Sequence, residues 1–213
     1  EKSELEKKFK LLQKDLLKVK EWANTEEQGI LLKLYEYSPF EDKSCSWFDP
    51  WWMFGINDGF DIVIGNPPYV QLSNNGGALA KMYEKIKYKT FKATGDIYLL
   101  FYEKGWQLLK PKGVLCFITS NSWMRANYGE TARKFFAEQA NPVLLIDFAG
   151  QKIFESATVE VNILMLTKDK NQQKTLACVA KEDVLNELGV FIKHLGRMSS
   201  FTNGDSWVIL SDI

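Results

Sequence analysis

From Phe60 onward, apolar runs of strand length alternate with longer stretches of helical periodicity. Such alternation predicts a layered α/β fold, with a largely parallel sheet and helices on its faces. The predicted strands cover residues 60–65, 114–120, 143–148 and 159–167, and the predicted helices cover residues 96–109 and 122–139. Only residues 149–158 join the last two strands, which leaves no room for a crossover helix. We therefore expect these two strands to pair antiparallel, which gives a sheet that is mixed at one edge.

The composition limits the classes of protein that the chain can belong to. Its 213 residues, 46% of them hydrophobic, are enough to bury a substantial core. The 27 basic residues balance the 27 acidic ones, which argues mildly against a chain that binds nucleic acid by itself. Three widely spaced cysteines and one histidine provide no zinc-ligand set, and no apolar run reaches membrane-spanning length. We expect a cytoplasmic protein with reduced thiols, without a metal site and without a membrane segment.

The segment that follows the first predicted strand has the residue types that amine methylation requires. It consists of Asn66, Pro67, Pro68 and Tyr69. An amide oxygen of Asn66 and the backbone carbonyl of Pro67 can each accept one N–H of an exocyclic amine, which frees the lone pair of the nitrogen. The two prolines stiffen the turn, and Tyr69 offers a face for a flat base that has left its stack. The alternative is a buried strand that ends at two prolines, with Tyr69 as a rim residue.

Three stretches together resemble a known family. They read FDIVIGNPPYV, GDIYLLFYEKGWQLLKPKGVLCFITSNSW and LLIDFAGQKIFESATVEVNILML, within residues 45–170. In order and spacing they resemble the adenine-specific, amino-methylating DNA methyltransferase domains of type IIS and type IIG restriction-modification enzymes. The resemblance implies a partial Rossmann-like sheet of an S-adenosylmethionine-dependent methyltransferase. Before this region, helical periodicity from Ser3 to Trp22 and a second helical segment that Pro39 closes predict an N-terminal helical hairpin. It also implies DNA as a partner and S-adenosylmethionine as the cofactor.

The resemblance also implies roles for individual residues. Asn66 and the Pro67 carbonyl would bind the amine of the target adenine, and Tyr69 would stack on the flipped base. Phe154 occupies the place of a second aromatic residue that closes the other face of the base, or it is a hydrophobic plug between two edge strands. The cofactor pocket would include Pro68, Asp96 and Tyr98. Asp96 is equally well explained as the cap of the helix that follows it.

A basic segment lies between the catalytic motif and the next helix. It contains Lys81, Lys85, Lys87, Lys89 and Lys92, interleaved with Tyr83, Tyr88 and Phe91. Lysines beside aromatic residues fit an arm that contacts DNA phosphates and unstacked bases. The alternative is the solvated face of a helix.

The glycine-rich turn that begins the cofactor half of such a sheet is absent from this sequence. We therefore expect the main cofactor motif to lie outside this chain, in an upstream segment of the same polypeptide or, alternatively, in another chain. We expect the isolated segment to have little activity. The expected regions are a helical hairpin over residues 1–44, the catalytic half of the methyltransferase domain over residues 45–180, and a helix and linker over residues 181–213 toward a missing target-recognition domain. In the last region we expect the helix over residues 182–195 and a loop over residues 196–213.

Two alternative functions remain open from the sequence. The first is a methyltransferase that acts on protein glutamine or on ribosomal RNA, because the Asn66–Tyr69 motif also occurs in such enzymes. The second is a non-catalytic DNA-binding or scaffold fragment, in which the motif is a relic.

Overall fold

The computed structural model describes residues 2–19, 25–38, 40, 50–148, 150–154, 159–180 and 197–209. The chain divides into two compact units, Glu1–Asn57 and Asp58–Ile213. None of the described helices combines the length and the apolar character that a membrane span needs. The predicted helix over residues 182–195 lies outside the described residues.

The first unit consists of helices α1 (Lys2–Val19), α2 (Thr25–Glu36) and the short α3 (Pro50–Phe54). The Gln13 side chain of α1 donates hydrogen bonds to the carbonyls of Tyr35 and Tyr37, at 2.8 and 2.6 Å. The Phe9 ring meets the Tyr37 ring edge-on at a centroid distance of 6.5 Å. These contacts pair α1 with α2, as the predicted helical hairpin requires.

The second unit is built on a six-stranded mixed sheet in the order β1-β2-β4-β3-β5-β6. The strands are β1 (Phe60–Gly65), β2 (Leu109–Ser120), β3 (Asn141–Asp147), β4 (Val161–Thr167), β5 (Thr175–Val179) and β6 (Arg197–Ser199). The pairs β1–β2 and β3–β5 are parallel, whereas β4 is antiparallel to both β2 and β3, and β6 is antiparallel to β5. The antiparallel β3–β4 pair is confirmed. The sheet is less parallel than the sequence predicted, because the short β3–β4 connection inserts β4 between β2 and β3.

Helices α5 (Ile97–Leu108) and α6 (Glu130–Gln139) cover one face of the sheet. Their buried aromatic residues, including Tyr102 and Phe136, pack in one core cluster with Leu115 and Leu164 of β2 and β4. Gly105 lets α5 approach the sheet closely, since a Cβ atom at this position would lie 2.5 Å from the Leu115 Cδ1 atom. This close packing fixes α5 against the strand that follows it.

Two connections differ from the prediction. The loop after β1 contains the helix α4 (Asn74–Glu84), which is interrupted by left-handed backbone at Asn75, Gly76 and Gly77. The first part of the helix predicted over residues 122–139 is replaced by two 3-10 turns, Ser122–Met124 and Asn127–Gly129. At Gly129 the backbone passes so close to Trp123 that a Cβ atom would lie 2.0 Å from its carbonyl oxygen.

The tail also differs from the loop predicted over residues 196–213. Its described part forms β6 and then a segment, residues 200–209, in which Phe201, Trp207 and Ile209 are buried. The rings of Phe201 and Trp207 stack at a centroid distance of 4.4 Å, and the backbone N–H of Trp207 donates to the Met124 carbonyl at 2.8 Å. Aromatic burial therefore holds this segment on the core.

The buried guanidinium of Arg133 joins the two 3-10 turns to the tail. It donates hydrogen bonds to the carbonyls of Trp123 at 2.6 Å, Ala126 at 2.8 Å and Gly204 at 2.8 Å. Each bond is charge-assisted, and each satisfies a carbonyl that the irregular backbone leaves outside a helix or strand. Arg133 is only 4% exposed, so its role is structural.

We predict that Arg133→Met lowers the free energy of unfolding by about 3 kcal/mol, because three carbonyl oxygens lose a charged donor. Urea unfolding followed by tryptophan fluorescence measures this change. The exposed Arg125 is the control, and Arg125→Met should change the unfolding free energy by less than about 0.5 kcal/mol. Equal effects of the two substitutions would contradict the structural role of Arg133.

Candidate active site

The segments that contain the polar and aromatic candidate residues meet at the edge of the sheet where the parallel strands β1 and β2 have their carboxyl ends. β1 and β2 are parallel, so the turn after Gly65 and the turn after Ser120 lie at the same edge. The register pairs Ser120 with Val161, and Asn162 with Asp147, so the β3–β4 connection is also at this edge. Open α/β sheets bind ligands at such carboxyl ends.

The Asn66–Tyr69 turn presents one polar side chain to solvent from a firmly held backbone. Asn66 and Pro68 are exposed, Pro67 is buried and Tyr69 is half-buried. Beyond the turn, the Ile97 N–H donates to the Val70 carbonyl and the Leu72 N–H donates to the Gly95 carbonyl, both at 2.9 Å. This short antiparallel contact attaches the turn to the beginning of α5.

Tyr69 is held at both its ring and its hydroxyl. The hydroxyl donates to the Ile118 carbonyl of β2 at 3.3 Å. The ring meets Tyr98 of α5 edge-on, with a centroid distance of 6.0 Å and an interplanar angle of 87°. Burial raises the pKa of the Tyr69 hydroxyl above its ordinary value. Tyr69 therefore remains protonated and able to donate this hydrogen bond at neutral pH.

Phe154 lies against the same group of apolar residues as Tyr69. Both are partly buried on the cluster formed by Ile146, Phe148 and Val161, together with Cys178 and Ala180. The segment that contains Phe154 is anchored by Gln151, whose amide donates to the Ala180 carbonyl at 2.6 Å. The structure thus brings the two predicted aromatic residues to one cluster at the candidate edge.

Asp96 and Tyr98 differ in their access to a ligand. Asp96 is half-buried and occupies the cap position of α5, but its side chain makes no capping hydrogen bond. Tyr98 has no exposed surface, so its ring lines no open pocket. Of these two residues, only Asp96 is accessible to a ligand in this structure.

Tyr128 is a part of the site that sequence reasoning missed. Its hydroxyl lies 3.0 Å from the Tyr98 hydroxyl, and the two groups share a hydrogen bond. Burial, with a further contribution from the Asp96 carboxylate, raises the pKa of Tyr128 to about 12. No local pattern marks this tyrosine, because its contact with α5 depends on the unpredicted 3-10 turn.

Polar residues at the strand ends hold the edge together. The Asn121 amide donates to the Asp147 carboxylate at 2.8 Å and to the Glu160 carboxylate at 3.3 Å. The Ser120 hydroxyl donates to the Ser122 hydroxyl at 3.1 Å. Asn121 therefore links the ends of β2 and β3 to the residue that precedes β4.

The five lysines of the basic segment are all exposed, whereas the aromatic residues among them face inward. Lys81 lies on α4, Lys85 follows it directly, and the others lie in the turns before α5: Lys87, Lys89 and Lys92. Tyr83, Tyr88 and Phe91 pack partly buried against the cluster of Leu72, Ile97 and Leu100. The segment is thus a charged surface on an apolar base.

A buried carboxylate anchors the basic segment to α5. Glu103, which is 4% exposed, accepts hydrogen bonds from the Thr90 N–H at 2.9 Å and the Thr90 hydroxyl at 3.1 Å.

Across the described ranges, no group of three or more His, Cys, Asp or Glu side chains is arranged to hold a metal ion.

Comparison of the sequence with known proteins relates this chain to a family. The model of the Eco57I restriction-modification methylase family matches residues 2–154. The type II restriction enzyme and methyltransferase RM.Eco57I of Escherichia coli is 32% identical over 157 residues, which cover 72% of this chain and 16% of that protein. The type II methyltransferase M.XhoI of Xanthomonas vasicola is 33% identical over 97 residues, which cover 46% of this chain and 18% of that protein. The chain thus spans less than a quarter of either relative.

The fold is similar to that of a solved structure. The methyltransferase subunit of a type I restriction-modification system from Streptococcus thermophilus matches with a TM-score of 0.52 at 17% identity, over 68% of this chain and 35% of that one. The predicted Rossmann-like α/β fold is therefore confirmed.

We predict that Tyr128→Phe reduces the decrease of the unfolding free energy that occurs as the pH rises above about 10. Below about pH 10 the Tyr128 hydroxyl is protonated in the folded and unfolded states, and its contribution to stability is fully present. Between about pH 10 and pH 12 only the unfolded chain loses this proton, so the contribution is lost as the pH rises through the folded pKa.

Urea unfolding at a series of pH values measures the effect. The slope of the unfolding free energy against pH should be shallower in Tyr128→Phe than in the unsubstituted chain. Replacing the exposed Tyr35 by Phe is the control and should leave the slope as it was. An unchanged slope in Tyr128→Phe would contradict the burial of its hydroxyl.

Proposed function

The chain belongs to the Eco57I restriction-modification methylase family, and we propose that its parent protein methylates the exocyclic amine of adenine in DNA. The observation that carries this proposal is the Asn66–Tyr69 turn, which ends β1 with an exposed amide beside two aromatic residues on one cluster. The names of the relatives, a restriction enzyme and methyltransferases of type II systems, favour DNA over protein or RNA.

The chemistry follows from the acceptors in the turn. The adenine amine is a weak nucleophile because its lone pair is delocalised into the ring. Its two N–H groups would donate to the Asn66 amide oxygen and the Pro67 carbonyl oxygen, which directs the lone pair out of the ring plane. S-adenosylmethionine, when bound, supplies an electrophilic methyl group on a sulfonium centre. Asn66 and the Pro67 carbonyl would hold the amine nitrogen facing that methyl group, and methylation would release one amine proton to solvent.

The aromatic residues would hold the flipped base. Tyr69 offers one ring face, and Phe154, anchored through Gln151, would cover the opposite face of the base. Stacking on such rings contributes about 1 to 3 kcal/mol per base, which offsets the cost of removing the base from the duplex. The exposed amide of Asn66 makes no hydrogen bond within the described part of the chain, so it is available to the amine.

The exposed lysines would contact DNA phosphates. Lys81, Lys85, Lys87, Lys89 and Lys92 lie on one connection between the turn and α5, and Glu103 anchors that connection. Since the inward-facing aromatic residues are occupied in packing, we assign this segment to the phosphate backbone rather than to unstacked bases. We propose a cytoplasmic location, because a protein that methylates cellular DNA must share a compartment with it.

We further propose that another segment of the same polypeptide supplies the main cofactor site. Within the described residues, β1 pairs only with β2, and its Ile62 and Ile64 side chains are 63% and 77% exposed. Such exposure on a strand of a Rossmann-like sheet fits a neighbour that continues the sheet. Pro68 and Asp96 would then contact the cofactor at the boundary with this neighbouring segment. A target-recognition domain would follow the chain. Residues 45–180 would be the catalytic half between these parts.

We predict that Asn66→Ala in the complete protein lowers methyl transfer to DNA by a factor on the order of 10² to 10³, because one preorganised acceptor is lost. Transfer of a tritiated methyl group to duplex DNA, RNA and protein measures the rate and identifies the acceptor. Asn74→Ala, which removes another exposed amide near the turn, is the control and should keep the full rate.

Two results would overturn this assignment. Undiminished transfer to DNA in Asn66→Ala would remove Asn66 from the reaction. Transfer to RNA or protein, without transfer to DNA, would replace the proposed substrate.

We predict that this chain alone does not bind S-adenosylmethionine with micromolar affinity, whereas the complete protein does. The reason is that the chain contributes only the methyl-acceptor side of the site. Calorimetric titration of each protein with S-adenosylmethionine measures the difference. Micromolar binding by the isolated chain would refute the placement of the main cofactor site in another segment.

A further inference from the structure

We propose that Tyr98, held by Tyr128, is a positioning residue that fixes the ring of Tyr69 in the orientation that the flipped base requires. This inference rests on the proposed function, in which the base stacks on Tyr69. It gives the buried Tyr98 a different role from contact with the cofactor.

The geometry of Tyr69 shows why a second contact is needed. The hydroxyl hydrogen bond to Ile118 fixes the tip of the side chain. The hydroxyl lies on the axis about which the ring rotates, so this bond leaves rotation of the ring plane free. That rotation is intrinsically broad for aromatic side chains. The Tyr69 ring also packs against apolar core residues, and the perpendicular contact with Tyr98, at 87°, is its aromatic contact within the described residues. We assign the restriction of the ring plane to this contact.

Tyr98 can restrict the rotation because it is itself held. It lies in the first turn of α5 with no exposed surface, and its hydroxyl meets the Tyr128 hydroxyl at 3.0 Å. Tyr128 belongs to the 3-10 turn that follows Ala126, and Arg133 donates to the Ala126 carbonyl. A series of buried and part-buried contacts thus extends from α6 to the ring of Tyr69.

The orientation of the ring matters because stacking needs parallel planes. A Tyr69 ring that rotates freely would spend part of its time edge-on to the base, and the base would have to order it on binding. With the ring already fixed, the binding of the base does not carry this cost, and the amine stays in line with the turn.

Three substitutions separate the parts of this arrangement. Tyr98→Leu removes the ring that contacts Tyr69, whereas Tyr98→Phe and Tyr128→Phe keep both rings and remove only one hydroxyl of the pair. Phe135→Leu is the matched control, because it also replaces a buried aromatic ring of the same core cluster by leucine. The Phe135 ring contacts Trp106 and Phe136.

The first measurement uses the complete protein and duplex DNA with 2-aminopurine at the target position. A flipped 2-aminopurine is quenched when it stacks on an aromatic ring and bright when it does not, so Tyr69→Ala defines the unstacked signal. Tyr98→Leu should move the fluorescence toward that signal and lower kcat about tenfold, with KM for DNA changed less than about twofold. Tyr98→Phe and Tyr128→Phe should have smaller effects, and Phe135→Leu should leave the fluorescence unchanged.

The second measurement does not depend on DNA. With 3-fluorotyrosine at position 69 of the complete protein, the fluorine resonance reports the environment and motion of the ring. Tyr98→Leu should shift and narrow this resonance, and Phe135→Leu should not.

The two measurements separate the inference from the function on which it rests. An unchanged resonance in Tyr98→Leu, or the same change in Phe135→Leu, would overturn the positioning role whatever the substrate. If the unsubstituted protein neither alters 2-aminopurine fluorescence nor methylates DNA, the proposed function fails while the fluorine resonance still decides the role of Tyr98.

Discussion

Two parallel strands need a crossover between them, and the crossover from β1 to β2 contains both the Asn66–Tyr69 turn and α5. The turn is attached to the beginning of α5 through the Val70–Ile97 hydrogen bond. At the other end of the helix, Gly105 lets α5 pack closely on β2. The position of the turn is therefore determined by how α5 lies on the sheet, and the other residues of the site are arranged around that position.

The strongest sequence predictions concerned features that depend on neighbouring residues. β1 begins and ends where the apolar run from Phe60 to Gly65 does, and α5 lies within one residue of its predicted ends. The antiparallel β3–β4 pair followed from the length of one connection. In each case the constraint acts over a few neighbouring residues, so a short stretch of sequence is enough to predict it.

The features that the sequence did not predict depend on distant contacts. Residues 122–129 have helical periodicity, but Arg133 and the close approach at Gly129 favour two 3-10 turns instead. The segment after β6 has no strong pattern and is held by burial of Phe201 and Trp207. The same limit applies to the site. The Asn66–Tyr69 turn is a local motif, whereas Tyr128 reaches Tyr98 only through the folded chain.

The exposed side chains of β1 have a further meaning for the chain in isolation. Within the described residues, β1 has a strand neighbour on one side only, and its Ile62 and Ile64 side chains are mostly exposed. Strand edges of this kind are templates for pairing with any available strand, including the same strand of another copy. The surface on which we expect the sheet to continue is thus, without that continuation, a site of self-association. A neighbouring strand that completes the sheet would therefore also prevent this self-association.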